Sequence, residues 1–240
     1  MTKIGIIGTG MLGEAVGLHL LDSGFEVTVF NRTKDKVGNL VKHGATAVDT
    51  PKDVAEKSEL IITVVKDASA VSDVAFGEDG IIHGTHDELT IADMSTINPN
   101  SAKEISQKFS DSGISFLEIP VMGGPNVAID GKLVMMISGN EQTYEKFSGL
   151  FGTIAEKSFF LGDSGTAHSI KLARHLITKA SKRFKAKVIE GGYKTKDKVY
   201  SAKKSDYAMV RKGDRVIGHL QFSAPRFGSG DWELVAEERK

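Results

Sequence analysis

The chain of 240 residues is 40% hydrophobic and 26% charged, with 31 basic and 31 acidic side chains and no cysteine. That length accommodates one medium domain, or one of about 170 residues with a small appendage. The lack of cysteine excludes disulfides, a thiolate metal site and a thiol nucleophile. No apolar run approaches the roughly 18 residues that cross a membrane, and a strand pattern starting at Lys3 leaves no space for a leader peptide, so the expectation is a cytoplasmic protein with no membrane partner. The net charge of zero conceals an asymmetry, since 18 of the basic but only 8 of the acidic residues lie from Lys171 onward.

In chain order, Ile4 to Ile7 reads as a buried parallel strand, and Gly8, Gly10 and Gly13 follow at G-x-G-x-x-G spacing. Apolar residues at helical period run from Met11 to Leu21, Gly24 stops that helix, and Phe25 to Phe30 supplies a second strand. Strand, glycine turn, helix and strand within roughly thirty residues form a dinucleotide-binding βαβ unit. Gly8 permits the tight turn, Gly10 removes a side chain where backbone must approach a pyrophosphate, and Gly13 allows the helix to pack closely on the sheet. The free N–H groups and positive dipole end at the helix start favour phosphate. An NAD-type site places Asp or Glu after the second strand, where it accepts from the ribose 2′-OH. Asn31, Arg32 and Thr33 stand there instead, with Lys34 and Lys36 nearby. No carboxylate opposes a 2′-phosphate, Arg32 can pair with it, and Asn31 and Thr33 can add hydrogen bonds. The expected cofactor is therefore NADP, and the plain alternative is a polar turn leading into the next helix.

Lys34 to Lys42 suits a short surface helix and Gly44 to Val48 an edge strand, while Thr50-Pro51-Lys52-Asp53 starts a helix with proline where its missing N–H does little harm. Leu60 to Val65, Leu89 to Met94 and Ser115 to Ile119 read as buried strands, with helices at Ala70 to Phe76 and about Ser101 to Ser112. After the loop Pro120 to Pro125 come a strand at Lys132 to Ser138, a helix at Glu141 to Phe151 and a strand at Lys157 to Leu161. This alternation predicts an α/β fold, a doubly wound Rossmann-type parallel sheet. Ligands on such sheets lie beyond the carboxyl ends of the strands, so the polar loops at Gly8, Asn31, Lys66, Ser95 and Gly123 are placed to meet in one crevice.

The segments GIIGTGMLGEAV, VTVFNRT, FGEDGII, ADMSTINP, EIPVMGGPNVAIDGKLVMMISG and GDSGTAHSIKL run in this order from residue 4 to about 172. Together they resemble the β-hydroxyacid dehydrogenase family, which includes 3-hydroxyisobutyrate, tartronate semialdehyde and 6-phosphogluconate dehydrogenases and the related imine reductases. The resemblance implies an NAD(P) domain with cofactor contacts at Met11, Leu12, Val65, Lys66, Ser95 and Thr96. It implies a substrate loop at Pro120 to Gly124, in which Met122 replaces the family's usual Ser and Gly123 and Gly124 offer backbone N–H groups to a substrate carboxylate. It also implies that Lys171 acts as general acid and base at the carbonyl oxygen, a role that partial desolvation favours by lowering a lysine pKa. His175 stands where the family has a helper Asn one helical turn on, Ala167 replaces a family Gly, and His168 is an added titratable group. Read without the resemblance, Lys171 is a solvated charge on an amphipathic helix with Ile170, Leu172 and Leu176 facing inward. No metal site is expected, because His168 and His175 are not at i, i+4 spacing and no carboxylate motif stands near.

The family continues into an all-helical domain, which the last 65 or so residues do not resemble. They give a basic helix over about 166–187, broken by Gly191-Gly192, then short strands at Lys198 to Ala202, Tyr207 to Val210, Arg215 to Phe222 and Trp232 to Ala236. The expected domains are 1–165 for the nucleotide, a linking helix over 166–187 and a small basic β-rich part over 188–240, the last serving as a homodimer contact or arising by fusion or replacement. Two functions compete: an NADP-dependent oxidoreductase acting on a small carbonyl, hydroxy-acid or imine substrate, and an NADP-binding module without turnover. The aromatic residues among the tail's lysines invite a weaker reading as a nucleic-acid surface, against which charged edge strands and a small core are the plainer account.

Overall fold

The computed structural model describes residues 2–175 and, beyond them, the backbone of 206–212, 215–223 and 231–235. Two compact units divide between Arg174 and His175.

In the first unit the central strand is β1 (Lys3–Ile7), whose apolar residues are buried on both faces. It pairs in parallel with β2 (Glu26–Phe30) and β4 (Leu60–Thr63). Beyond β2 lies the edge strand β3 (Thr46–Ala47), and beyond β4 lie β5 (Thr90–Asp93) and β6 (Ser115–Glu118), all parallel. The order 3-2-1-4-5-6 is that of the dinucleotide-binding doubly wound sheet. The sheet then reverses. Strand β8 (Leu133–Gly139) runs antiparallel to β6 and to the two-residue β7 (Val121–Met122), and it carries β9 (Ala155–Phe160) in parallel.

Helices cover both faces, and most of their starts are written locally. Thr50 and Asp53 form a reciprocal capping box, each bond 3.0 Å, that begins α3 (Pro51–Glu56) with proline in its first turn. Asp67 caps α4 (Ala68–Phe76), Asn98 caps α5 (Pro99–Asp111), and Asn140 caps α7 (Glu141–Ile154), which follows the four-residue α6 (Pro125–Ala128). On one face Ile4, Ile6, Leu60 and Ile62 pack with Val16 and Leu20 of α1 (Met11–Asp22) and Phe151 of α7. On the other, Ile7, Ile61, Ile91 and Phe116 pack with Val54, Val71, Ile105 and Phe109. Each such side chain contributes roughly 1.5–3 kcal/mol when fully buried.

The structure departs from the sequence reading at short elements. The helix expected over Lys34 to Lys42 is a 3-10 turn at Lys34–Val37 followed by α2 (Gly38–Lys42), with the change falling at a weak helix former. The strand expected over Gly44 to Val48 shrinks to two residues, since Thr46 and Ala47 alone are in register with β2, and Gly44 is in the left-handed region at φ +103°. The expected loop after β6 contains β7, because Val121 and Met122 pair with Met135 and Val134. Residues 166–175 form a further helix, α8.

In the second unit β10 (Asp206–Lys212), β11 (Arg215–Ser223) and β12 (Asp231–Val235) form an antiparallel sheet in that order, with a register shift between Val210 and Arg211. The strand expected at Lys198 to Ala202 and the linking helix beyond residue 175 lie outside the described residues. Among the described residues no helix is long and apolar enough to cross a membrane.

Candidate active site

At the carboxyl end of β1 the backbone leaves little choice of residue. Gly8 has φ +100°, and a Cβ there would lie 2.2 Å from the Val64 carbonyl oxygen. A Cβ on Gly13 would lie 2.1 Å from the Gly8 carbonyl oxygen, so α1 can approach the turn only if that position is glycine. A Cβ on Gly10 would meet nothing within 4 Å. Gly10 is also the N-cap of α1, so the first N–H groups of the helix receive no side-chain cap. An anionic pyrophosphate fits this cradle, which offers N–H donors, a positive helix end and room beside Gly10.

The end of β2 is tied to this turn. The Gly8 N–H donates to the Phe30 carbonyl (2.9 Å), and the Thr9 N–H donates to the Asn31 side-chain oxygen (3.0 Å). The Asn31 amide then donates to the Thr33 carbonyl (2.9 Å). Both ends of the Asn31 side chain are thus engaged in shaping the loop, and Arg32 and Thr33 are exposed beside it. Lys34 pairs with Asp49 at 2.6 Å, both highly exposed, on the rim of a small pocket of about 110 Å³ also lined by Asn31 and Val48.

On the other half of the sheet, the last residues of β4, β5 and β6 and Ser138 of β8 form one row. Thr63 is in register with Asp93, Asp93 with Glu118, and Glu118 with Ser138. All four are buried. The Thr63 hydroxyl (2.7 Å) and the Ser95 N–H (3.1 Å) both donate to one oxygen of Asp93, and the other oxygen has no hydrogen-bond partner. Burial pushes the Asp93 carboxyl above its usual range, against the opposing pull of the Ser95 and Thr63 hydrogen bonds and the nearby His168. The Ser95 hydroxyl accepts from the Val65 N–H (3.0 Å), joining the ends of β4 and β5.

Helix α8 is fastened to this row. The Gly165 N–H and the Ser138 hydroxyl donate to the two oxygens of Glu118, and the Ala167 N–H donates to Ser138 (3.2 Å). His168, fully buried, spans Glu118 (2.8 Å) and the Ser95 carbonyl (3.0 Å). One turn further, Lys171 is half-buried and its ammonium donates to the Val121 carbonyl at 2.7 Å. Burial pulls its pKa from 10.5 to about 8, with the charge of Arg174 acting the same way and Asp93 against it. The amphipathic reading of this helix therefore fails at two positions, since Ile170 is 42% exposed while Lys171 turns inward, with Leu172 half-buried beside it. Leu176 lies outside the described residues, and His175 is exposed at the end of those that are described.

Of the residues singled out in the sequence, Gly8, Gly13, Asn31, Val65, Ser95 and Lys171 are joined through strand ends and hydrogen bonds. Met11 (81% exposed), Lys66 and Thr96 stand open at the same edge, and Leu12 is half-buried. Met122 is half-buried, Gly123 has φ +115°, and a Cβ on Gly124 would meet nothing within 4 Å. Sequence reasoning missed Asp93, Glu118 and Ser138. The available signal was a carboxylate closing a strand directly after two apolar residues, twice, in LTIAD and SFLE.

The glycine turn, the strand order and the open helix start define a dinucleotide-binding domain of Rossmann type. The chain belongs to the family described as the NAD binding domain of 6-phosphogluconate dehydrogenase, whose model matches residues 3–162. Glyoxylate/succinic semialdehyde reductase 1 of Arabidopsis thaliana is 32% identical over 175 residues, which are 73% of this chain and 61% of that protein. The cytokine-like nuclear factor N-PAC of Homo sapiens is 33% identical over 189 residues, 79% of this chain and 34% of that protein. The solved structure of Psf3 in complex with NADP+ and 2-OPP matches with a TM-score of 0.71 at 25% identity, over 78% of this chain and 68% of that one. The chain thus spans about three fifths of the plant reductase and about one third of N-PAC.

Proposed function

We propose that the protein is an NADP-dependent oxidoreductase that reduces or oxidises a small carbonyl, hydroxy-acid or imine substrate. The observation that carries this is Lys171, held half-buried at the Val121 carbonyl beside the Pro120 to Gly124 loop, with a pKa of about 8. A lysine in that state exchanges its proton near neutral pH, where an exposed lysine stays charged. Gly8, Gly13 and the start of α1 would hold the pyrophosphate, and Arg32 would take the 2′-phosphate, since no carboxylate at the end of β2 opposes it. The nicotinamide, when bound, supplies or accepts hydride at the substrate carbon. Lys171 delivers from Nζ the proton that the substrate oxygen or nitrogen takes up on reduction, and removes it in the reverse direction. The backbone N–H groups of Gly123 and Gly124 would orient the substrate. Met122 brings no hydroxyl to that loop, which favours a substrate with an apolar flank over a small hydroxy acid.

The NADP+ held by the Psf3 structure and the reductase activity named for the Arabidopsis protein support this reading. A second reading, a cofactor-binding module without turnover, is supported by the likeness to N-PAC, named as a nuclear factor. Calorimetric titration with NADPH and NADH, followed by nicotinamide absorbance across hydroxy acids, aldehydes and cyclic imines, separates them. Tenfold tighter NADPH, a difference of roughly 1.4 kcal/mol, and turnover lost in Lys171→Ala support the first. Tight NADPH with no turnover on any class supports the second.

A further inference from the structure

Glu118, Ser138, Ser95 and His168 form a closed set of buried polar groups joined to one another by hydrogen bonds. The Ser95 carbonyl can only accept, so the His168 Nε2 carries a proton. Glu118 already accepts from the Gly165 N–H on one oxygen and from the Ser138 hydroxyl on the other, and Ser138 accepts in turn from the Ala167 N–H. The His168 Nδ1 lies 2.8 Å from the Glu118 oxygen that takes the Ser138 hydroxyl, so the ring is held at both nitrogens. What the set adds over an apolar pair is direction.

We propose that Glu118 and His168 are positioning residues that lock the helix bearing Lys171 onto the strand end bearing Ser95. His168 and Lys171 are three residues apart on α8, hence on one face. Fixing the imidazole between Glu118 and Ser95 therefore fixes the direction in which Lys171 leaves the helix. From there it reaches the Val121 carbonyl. One continuous path links Val65, Ser95, His168, Lys171 and Val121, which lie in or beside the three loops that would face the nicotinamide and the substrate. The charged groups facing Lys171 are Arg174 on its own helix and Asp93 at the end of β5. This inference rests on the reading of Lys171 as the proton carrier, yet it concerns a geometry that can be measured without turnover.

The test is the rate of reductive methylation of Lys171 at pH 8 by formaldehyde and cyanoborohydride, read by mass spectrometry in the full chain. It is run on wild type, on His168→Gln and on the double variant Glu118→Gln/His168→Gln, alongside NADPH affinity and kcat. With the lock broken, Lys171 returns toward an ordinary lysine, and its neutral fraction at pH 8 drops. Methylation should slow at least about tenfold, with NADPH affinity within twofold and kcat falling more than KM rises. The double variant keeps hydrogen-bonding groups without charge and serves if His168→Gln does not fold. Its methylation should slow as well. Wild-type methylation rates in a folded variant overturn the inference while leaving the oxidoreductase reading intact. Slowed methylation in a protein whose wild type turns over no substrate upholds the positioning role and removes the oxidoreductase reading.

Discussion

At β1 and β2 the carboxyl edge of the sheet is shaped by backbone, while at β4, β5, β6 and β8 it is shaped by side chains. In the first region Gly8 and Gly13 are dictated by carbonyl oxygens about 2 Å from any added Cβ, and the space beside Gly10 stays open. In the second, Thr63, Asp93, Glu118, Ser138 and His168 are buried and spend their polar atoms largely on one another. The first region presents donors to something outside itself. The second turns inward, and half-buried Lys171 reaches from α8 to the Val121 carbonyl beside it. On the proposed reading, a site made of both would hold the cofactor by N–H groups that need no side chain and aim Lys171 by a scaffold of other side chains.

The largest effect that would break this comparison is expected at Glu118→Ala, which leaves the buried Ser138 hydroxyl, the Gly165 N–H and the His168 ring without their partner. A loss of about 3 kcal/mol in urea unfolding is expected, and a loss below about 1 kcal/mol would mean that Glu118 does not hold the row together. Next comes Lys171. Its folded pKa lies at about 8, below the ordinary 10.5, so between those values the unfolded chain binds the extra proton and stability rises with pH. Below about pH 8 the cost of burying the charge is present in full. Lys171→Met removes that slope, so its stability advantage over wild type should shrink from pH 8 toward pH 10.5, and a constant gap would contradict the burial of a charge. Gly10→Ala sharpens the contrast from the other side. The new methyl group meets open space at φ −70°, so stability should stay within about 0.5 kcal/mol while NADPH affinity falls tenfold or more in calorimetry. An unchanged affinity would move the pyrophosphate away from this turn. The smallest effect belongs to Asp49→Asn, which releases Lys34 from an exposed ion pair. Preference for NADPH over NADH should rise by no more than about threefold, as an exposed ion pair is weak and screened by solvent.

The two regions also differed in how far the sequence revealed them. G-x-G-x-x-G, the second strand and Asn31-Arg32-Thr33 lie within thirty residues, and their spacing alone implies the turn, the helix start and the missing carboxylate. The role of Asn31 was less legible, because its bond to the Thr9 N–H is a contact across 22 residues. The polar row left only a faint signal, a carboxylate closing two strands, since it exists only when β5, β6 and β8 are aligned in register, and Glu118 and His168 meet across 50 residues. The inward turn of Lys171 had the same origin. Helical periodicity placed Ile170 inside, but the bonds of His168 and Gly165 to Glu118 set the rotation of α8 and bring Lys171 inward in its place. Short elements such as β7 and α6 escaped because two or four residues carry no period.

Glu118 accepts the N–H of Gly165, which lies 47 residues later in the chain and directly before α8, and so acts as a cap at the start of that helix. The cap waits for its helix. The strands of the sheet are complete at Phe160, yet two of the partners of the buried Glu118 carboxyl come only with residues 165–168. A chain cut just after Phe160 would keep all nine strands of this sheet and leave that carboxyl without Gly165 and His168, so hydrogen bonding rather than strand pairing sets how far the unit must extend.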